Sequence, residues 1–114
     1  MKLPKKGQLL RIFIGESDKR EGIPLFEWIV RHARKSGLAG ATVMRGLEGY
    51  GAHSRLHTAK ILRLSEDLPV IVEIVDTPEK INAFLEIVDE AIDEGLVTIE
   101  NISIKFYRSG NAPE

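Results

Sequence analysis

Side chains that donate hydrogen bonds or carry positive charge concentrate in the segment between Tyr50 and Asp67. Hairpin loops usually have about two to five residues, whereas residues 51–67 make a connection of 17 residues between two predicted strands. The groups suited to binding anionic oxygens are Tyr50, Gly51, His53, Ser54, Arg55, His57, Thr58 and Lys60. A loop that binds a ligand or a partner is one interpretation of this segment, and a plain extended hairpin is the alternative.

A metal site and an enzymatic site are both predicted to be absent. His53 and His57 are four residues apart and would share one face of a helix, as in the zinc-protease motif. Ser54 stands where that motif has glutamate, however, and the sequence offers no third ligand. The acidic residues of the second predicted helix are interpreted as a solvated face rather than as acid/base groups: Glu86, Asp89, Glu90, Asp93 and Glu94.

Composition indicates one globular domain, residues 1–114, with 109–114 as a frayed tail. Apolar residues make up 43% and charged residues 29% of the chain, which excludes a disordered protein. Sixteen Lys and Arg against 17 Asp and Glu leave a net charge of −1, which argues against a nucleic-acid partner. Cysteine is absent. The N-terminal apolar run is short and is broken by Arg11, so we predict a cytoplasmic protein.

Six predicted elements position these residues. Apolar side chains on both faces predict strands over 8–15 and 68–76, and alternation of apolar and polar residues predicts a strand over 96–108. Less regular alternation predicts a strand over 41–50 that is bent or bulged at its glycines. Helical spacing of apolar residues predicts helices over 24–36 and from Pro78 to Gly95, with Thr77 as the N-cap of the second helix.

The order strand, helix, strand, strand, helix, strand predicts an α+β, ferredoxin-like βαββαβ fold. Its four-stranded antiparallel sheet would carry two helices on one face. We expect the first and third strands to be the central pair, because both are apolar on both faces, and we expect them to run parallel to each other.

The run GLAGATVMRGLEGYGAHSRLHT, from Gly37 to Thr58, resembles the second-strand signature of the PII nitrogen-regulatory signalling proteins. A Leu-Pro pair that opens the third strand and Glu73 within it also match. Closer still, GAHSRLHT, SEDLPVIVEIVDT and EGLVT resemble an uncharacterised PII-like family over nearly the whole chain. The positions that match the PII signature are Gly37, Gly40, Thr42, Val43, Gly49, Tyr50 and Gly51.

The resemblance implies a homotrimer that binds ADP or ATP between subunits, with no obligatory cofactor. It implies that Thr42 and Val75 contact the base, and that Arg108 supplies positive charge. Gly49, Tyr50 and Gly51 would lie at the base of the long loop, near the phosphates. The glycine-rich phosphate loop of PII proteins is replaced here by EGLVTIENI, so other donors would hold the phosphates: His53, Arg55 or Lys60.

The function that this resemblance implies is non-enzymatic signal transduction. The 50–67 loop would engage a target protein, such as a membrane transporter or channel, and no nucleic acid would be bound. One alternative is an RNA-binding module, because RIFIG (Arg11 to Gly15) resembles its first-strand motif, although Val70–Val75 lacks the aromatic residues that stack on bases. A small acylphosphatase-like enzyme on the same fold is a further alternative, since fold alone does not decide function.

Overall fold

A computed structural model describes residues 6–50, 57–58 and 68–110. Within these ranges the chain forms two helices, α1 and α2, and eight strands, four of which are only two residues long. In chain order they are β1 (Lys6–Gly15), β2 (Lys19–Arg20), β3 (Ile23–Pro24), α1 (Leu25–Lys35), β4 (Ala41–Arg45), β5 (Glu48–Gly49), β6 (His57–Thr58), β7 (Pro69–Asp76), α2 (Pro78–Ala91) and β8 (Leu96–Ser103).

The four longer strands form one sheet in the order β4–β7–β1–β8. All three neighbouring pairs are antiparallel, which confirms the predicted ferredoxin-like fold and the central position of β1 and β7. The prediction that these two strands run parallel is wrong. The crossover through α1 returns β4 in the same direction as β1, and β7 lies between them, so β7 must oppose both.

The two faces of the sheet differ in how they are covered. Alternate residues of β1 and β7 point toward α1 and α2 and are buried together with the apolar stripes of both helices. The other face has no helix on it within the described residues, and we call it the open face. The residues of the core are Leu10, Ile12, Ile14, Leu25, Trp28, Ile29, Ala33, Val70, Val72, Ile74, Ile81, Phe84, Val88 and Ala91.

The helix boundaries follow their capping residues. Pro24 precedes α1, which matches the predicted helix to within one residue at each end. The Thr77 hydroxyl accepts a hydrogen bond from the Lys80 backbone N–H at 3.2 Å, which confirms the predicted N-cap of α2. The predicted end of α2 at Gly95 is wrong, because Ile92 is extended (φ −107°, ψ 113°) and the helix stops at Ala91.

The segment after β1 contains the hairpin β2–β3. Glu21 (φ 53°) and Gly22 (φ 83°) connect its two strands, as a type I′ turn requires. The hairpin brings Arg20 over the Trp28 ring, with 4.8 Å between Cζ and the ring centroid. His32 is half-buried, with its ring stacked 3.7 Å from that of Trp28.

Candidate functional site

The structure describes five of the nine residues that were predicted to form the site: Thr42, Gly49, Tyr50, Val75 and Arg108. The remaining four, Gly51, His53, Arg55 and Lys60, lie outside the described residues. Most of the 50–67 loop lies outside them too, although β6 pairs antiparallel with β5 and so continues the connection from β4 as a hairpin.

Thr42 belongs to a row of polar side chains across the open face. It is exposed on β4 and pairs with Glu73 on β7, which in turn pairs with Arg11 on β1. Arg11 pairs with Thr98 on β8, so the row crosses all four strands. Because paired residues of neighbouring strands point to the same face, Thr42 lies directly beside the Glu73 carboxylate.

Arg11 connects two acidic residues from different strands. Its Nε lies 2.8 Å from Glu73 Oε2 and its Nη1 lies 2.5 Å from Glu100 Oε1. The hydrogen bond to Glu73 raises the pKa of Arg11 above its ordinary value; desolvation opposes this effect, and the charge of Glu100 adds a smaller increase.

Val75 lies on the same face as Thr42, two residues beyond Glu73 on β7, and is half-buried. It pairs with Leu9 on β1, and both belong to the apolar residues that flank the polar row. Thr42 and Val75 are therefore diagonal neighbours at the β4 edge, about 7–8 Å apart between backbones. The structure brings this predicted pair together.

The base of the long loop is formed by glycines that pass over Pro69. The Gly46 N–H donates to Pro69 O at 2.7 Å. A Cβ on Gly46 would lie 2.8 Å from Pro69 Cγ, and a Cβ on Gly49 would lie 3.2 Å from the same atom. The strand predicted over 41–50, with a bend or bulge at its glycines, breaks at Gly46 into β4 and β5, which confirms the predicted bend.

Two further contacts tie the same corner to the end of β1. The Arg45 guanidinium forms an ion pair with the Glu16 carboxylate, and the Glu16 N–H donates to Leu68 O at 2.8 Å. Tyr50, just beyond β5, is 74% exposed. The loop base thus lies against Pro69 at Gly46 and Gly49, with Tyr50 exposed just beyond it.

The segment with Arg108 was predicted to be strand, but β8 ends at Ser103. Residues 104–110 lie beyond it, with Ile104 close to Gly7, where a Cβ would lie 2.7 Å from Ile104 Cδ1. The Tyr107 hydroxyl donates to Ala39 O at 2.9 Å. Arg108 is exposed, with its Cζ 4.1 Å above the ring of Phe106. The chain therefore crosses the end of the sheet and delivers Arg108 toward the β4 edge.

The turn before β4 is held by a buried carboxylate. Asp76 is the buried charged residue of the described core, and its two oxygens accept from the N–H groups of Ala39 (2.8 Å) and Thr77 (2.7 Å). Lys80 Nζ also donates to Gly37 O at 3.1 Å. Asp76 and Tyr107 thus fix Ala39, three positions before Thr42, from both its N–H and its carbonyl.

Sequence reasoning did not select Arg11, Asp76 or Tyr107 as site residues. Asp76 had one sequence signal, a lone carboxylate between an apolar strand and a Thr-Pro helix start. Chemically, the groups at the β4 edge are the Thr42 hydroxyl, the apolar surface of Val75 and the Glu73 carboxylate, which is paired with Arg11. In residues 6–50 and 68–110, no cluster of three His, Cys, Asp or Glu side chains is arranged to hold a metal ion.

The fold defined by this sheet is that of the PII-like proteins. The chain is similar to CPII, a nitrogen regulatory PII-like protein from Thiomonas intermedia K12 whose structure holds ADP, AMP and bicarbonate, with a TM-score of 0.65, 20% identity, and coverage of 89% of this chain and 93% of CPII. It is also similar to the Bacillus subtilis GlnK–ATP complex, with a TM-score of 0.56, 14% identity, and coverage of 89% and 85%.

Residues 7–104 match the family DUF190, described as "Uncharacterized ACR, COG1993", and the chain belongs to this family. A UPF0166 protein of Aquifex aeolicus is 40% identical over 104 residues, which cover 91% of this chain and 97% of the relative. A UPF0166 protein of Methanocaldococcus jannaschii is 38% identical over 100 residues, covering 87% and 92%. The predicted membership of an uncharacterised PII-like family is confirmed.

Neither α1 nor α2 combines the length and the apolar character that crossing a membrane requires, and the described ranges contain no other helix.

Proposed function

We propose that this protein is a non-enzymatic PII-like regulator that binds an adenine nucleotide, ADP or ATP, at the β4 edge of its sheet. The observation that carries the proposal is the placement of Thr42 and Val75 side by side on the open face, in a fold that resembles CPII with bound ADP and AMP. The hydroxyl of Thr42 would bond to the base or ribose, and Val75 would contact the base.

The phosphates would lie toward the loop base and the C-terminal segment. Arg108 is exposed and its segment is anchored at Ala39 by Tyr107, so its guanidinium can turn to an anion without moving the sheet. The backbone at Gly49 is free of a Cβ, which allows a phosphate to approach its N–H. The predicted donors outside the described residues would complete this part of the site: Gly51, His53, Arg55 and Lys60.

The site is proposed to lie between subunits of a homotrimer. The open face carries apolar side chains that no element covers within the described residues, including Met44 (39% exposed) and Leu96 (56% exposed). Leu9, Phe13 and Ile71 lie half-buried on the same face. Such a face is normally buried by association, and association would add a neighbouring chain at the β4 edge.

Nucleotide binding would control contact with a target protein. The loop base at Gly46, Gly49 and Tyr50 lies at the end of the strand that carries Thr42. A ligand held by Thr42 therefore adjoins the start of the 50–67 loop, which is the proposed contact with a partner such as a membrane transporter or channel.

Calorimetry with ADP, ATP and AMP tests the proposal. We expect micromolar affinity for ADP or ATP, about −8 kcal/mol. Replacing Arg108 by Ala removes a charge-assisted hydrogen bond worth about 1.5–3 kcal/mol, so the affinity should fall about 10- to 150-fold.

Lys105→Ala provides the matched control, because Lys105 is an exposed cation of the same C-terminal segment, and its affinity should equal that of the parent. Native mass spectrometry of the same sample reports the subunit number and any retained nucleotide. Absence of heat with all three nucleotides at millimolar concentration would refute the proposed ligand, and a monomer at micromolar concentration would refute the site between subunits.

A further inference from the structure

A groove lies between α2 and β8 on the helix side of the sheet, away from the open face and from Thr42. Its volume is about 220 Å³, and it is lined by Leu85, Val88, Asp89, Ile92, Gly95 and Val97. The groove exists because α2 packs over β1 and β7, while β8 is the edge strand beyond them. Ile99, which points to the same side as Val97, is 38% exposed.

One side of the groove is acidic. Asp89 lines it, Glu86 lies three residues earlier on the same side of α2, and Asp93 follows just past the helix end. All three are exposed, and in residues 6–50 and 68–110 none of them forms an ion pair.

These carboxylates oppose the stability of their own helix. Negative charge at a helix C-terminus is unfavourable because the last carbonyls carry partial negative charge, and the last turn of α2 contains no basic residue to offset it. A cation from a partner would therefore be attracted both by these carboxylates and by the negative end of the α2 dipole.

We propose that this groove docks an amphipathic helix of a partner protein, with aliphatic side chains on one face and Lys or Arg beside them. The aliphatic side chains would cover Leu85, Ile92 and Val97, and the cations would face Glu86, Asp89 and Asp93. A helix fits because it would lie beside α2, about 8–10 Å away, and extend the helix layer over β8. An acidic or uncharged partner would be disfavoured, because it would remove water from the carboxylates without supplying a cation to pair with them.

The test uses a synthetic helix of about 15 residues, with leucine at every third or fourth position and lysine elsewhere. Its fluorescence anisotropy is followed as the full-length protein is added, without nucleotide. We expect saturable binding that weakens as salt is raised from about 0.05 M to about 0.5 M, since exposed charge pairs are screened. A peptide with glutamate in place of lysine should not bind.

Matched variants locate the binding. Asp89→Asn should weaken it about two- to five-fold, and the combination of Glu86→Gln, Asp89→Asn and Asp93→Asn should weaken it about tenfold or more. Glu90→Gln is the control: this exposed acid follows Asp89 in sequence, but successive residues of a helix are turned about 100° apart around its axis. The affinity of this variant should equal that of the parent. Ile92→Ala removes apolar surface from the groove, and its thermal unfolding is recorded by circular dichroism to show that it is folded.

Three results would overturn the proposal. The first is equal affinity of the triple variant and the parent, and the second is binding of the acidic peptide. The third is a change in the sedimentation coefficient of the protein alone in the triple variant, which would make the groove an interface between copies. Nucleotide titrations of the same variants are expected to be unchanged, so this test stands apart from the nucleotide proposal.

Discussion

Asp76→Asn should destabilise the protein more than any exposed acidic substitution, because Asp76 is fully buried and uses each carboxylate oxygen for a different backbone N–H. The amide keeps one acceptor and turns its NH₂ group toward the other N–H. The variant therefore loses one charge-assisted hydrogen bond and leaves a buried donor without an acceptor. We expect a loss of about 2–4 kcal/mol, out of a total that is about 5–15 kcal/mol for a typical domain.

Urea unfolding followed by circular dichroism measures this loss. With a slope of about 2 kcal/mol per M of urea, the middle of the range for small domains, the midpoint should fall by about 1–2 M. The protein concentration is kept constant, because association of the native state would shift the midpoint. Glu90→Gln, an exposed acid on α2, is the control and should change stability by less than about 0.5 kcal/mol.

Hydrogen exchange separates the local effect from the global one. The amide of Ala39 donates to Asp76 and that of Ile81 donates to Thr77 O. In Asp76→Asn the Ala39 amide should lose protection by more than the drop in global stability, whereas the Ile81 amide should follow the global value. A midpoint within about 0.3 M of the parent, with the Ala39 amide still protected, would refute the assignment of Asp76 as the residue that fixes this turn.

Two further substitutions test other parts of the site. Gly46→Ala should cost about 1–3 kcal/mol of stability, because its Cβ would lie 2.8 Å from Pro69 Cγ. Gly40→Ala is the control and should be tolerated, because its Cβ would meet nothing within 4 Å. Equal urea midpoints for the two variants would contradict the close approach of Gly46 to Pro69. Arg11→Gln should shift the proposed homotrimer toward monomers in sedimentation velocity, because Glu73 and Glu100 would lose their cation and association would bury two unpaired carboxylates on the open face. An unchanged stoichiometry at micromolar concentration would show that the open face is not the contact between copies.

The elements with strong local signals were predicted well. Strand β7 was predicted because nearly all residues from Pro69 to Val75 are apolar, on both faces of the strand. The start of α2 was predicted because threonine is favoured at the N-cap and proline in the first turn of a helix. Both signals depend on residues within a few positions of each other, so they can be read without knowing the rest of the fold.

The errors concern contacts between distant segments or unusual backbone. Arg11 bonds to Glu73 and Glu100, which are 62 and 89 positions away in the chain. These contacts depend on the register of the paired strands, which no local sequence pattern reveals. The β2–β3 hairpin needs Glu21 at positive φ, which is uncommon for glutamate, so its two short strands were not predicted. The wrong direction of β7 came from assuming that the two central strands of this topology run parallel, whereas all three neighbouring pairs of the sheet are antiparallel.

For the candidate site, the sequence resemblance selected Thr42 and Val75, and the structure places them together. It did not select Asp76 or Tyr107, because these residues act on the backbone of Ala39 rather than on a ligand. The role of Tyr107 depends on the path of residues 104–110 across the end of the sheet. That path was missed because a strand was predicted through Arg108, whereas β8 ends at Ser103.

The position of β1 in the sheet has a kinetic consequence. This strand is the first element in the chain, yet its partners are β7 and β8, so Leu10 pairs with Ile74 and Ile99, 64 and 89 residues later. During synthesis β1 must wait for both of them with its apolar side chains unpaired. Folding should therefore be limited by closing these long loops rather than by forming α1 or α2. Until then β1 is the segment most exposed to aggregation and to chaperones.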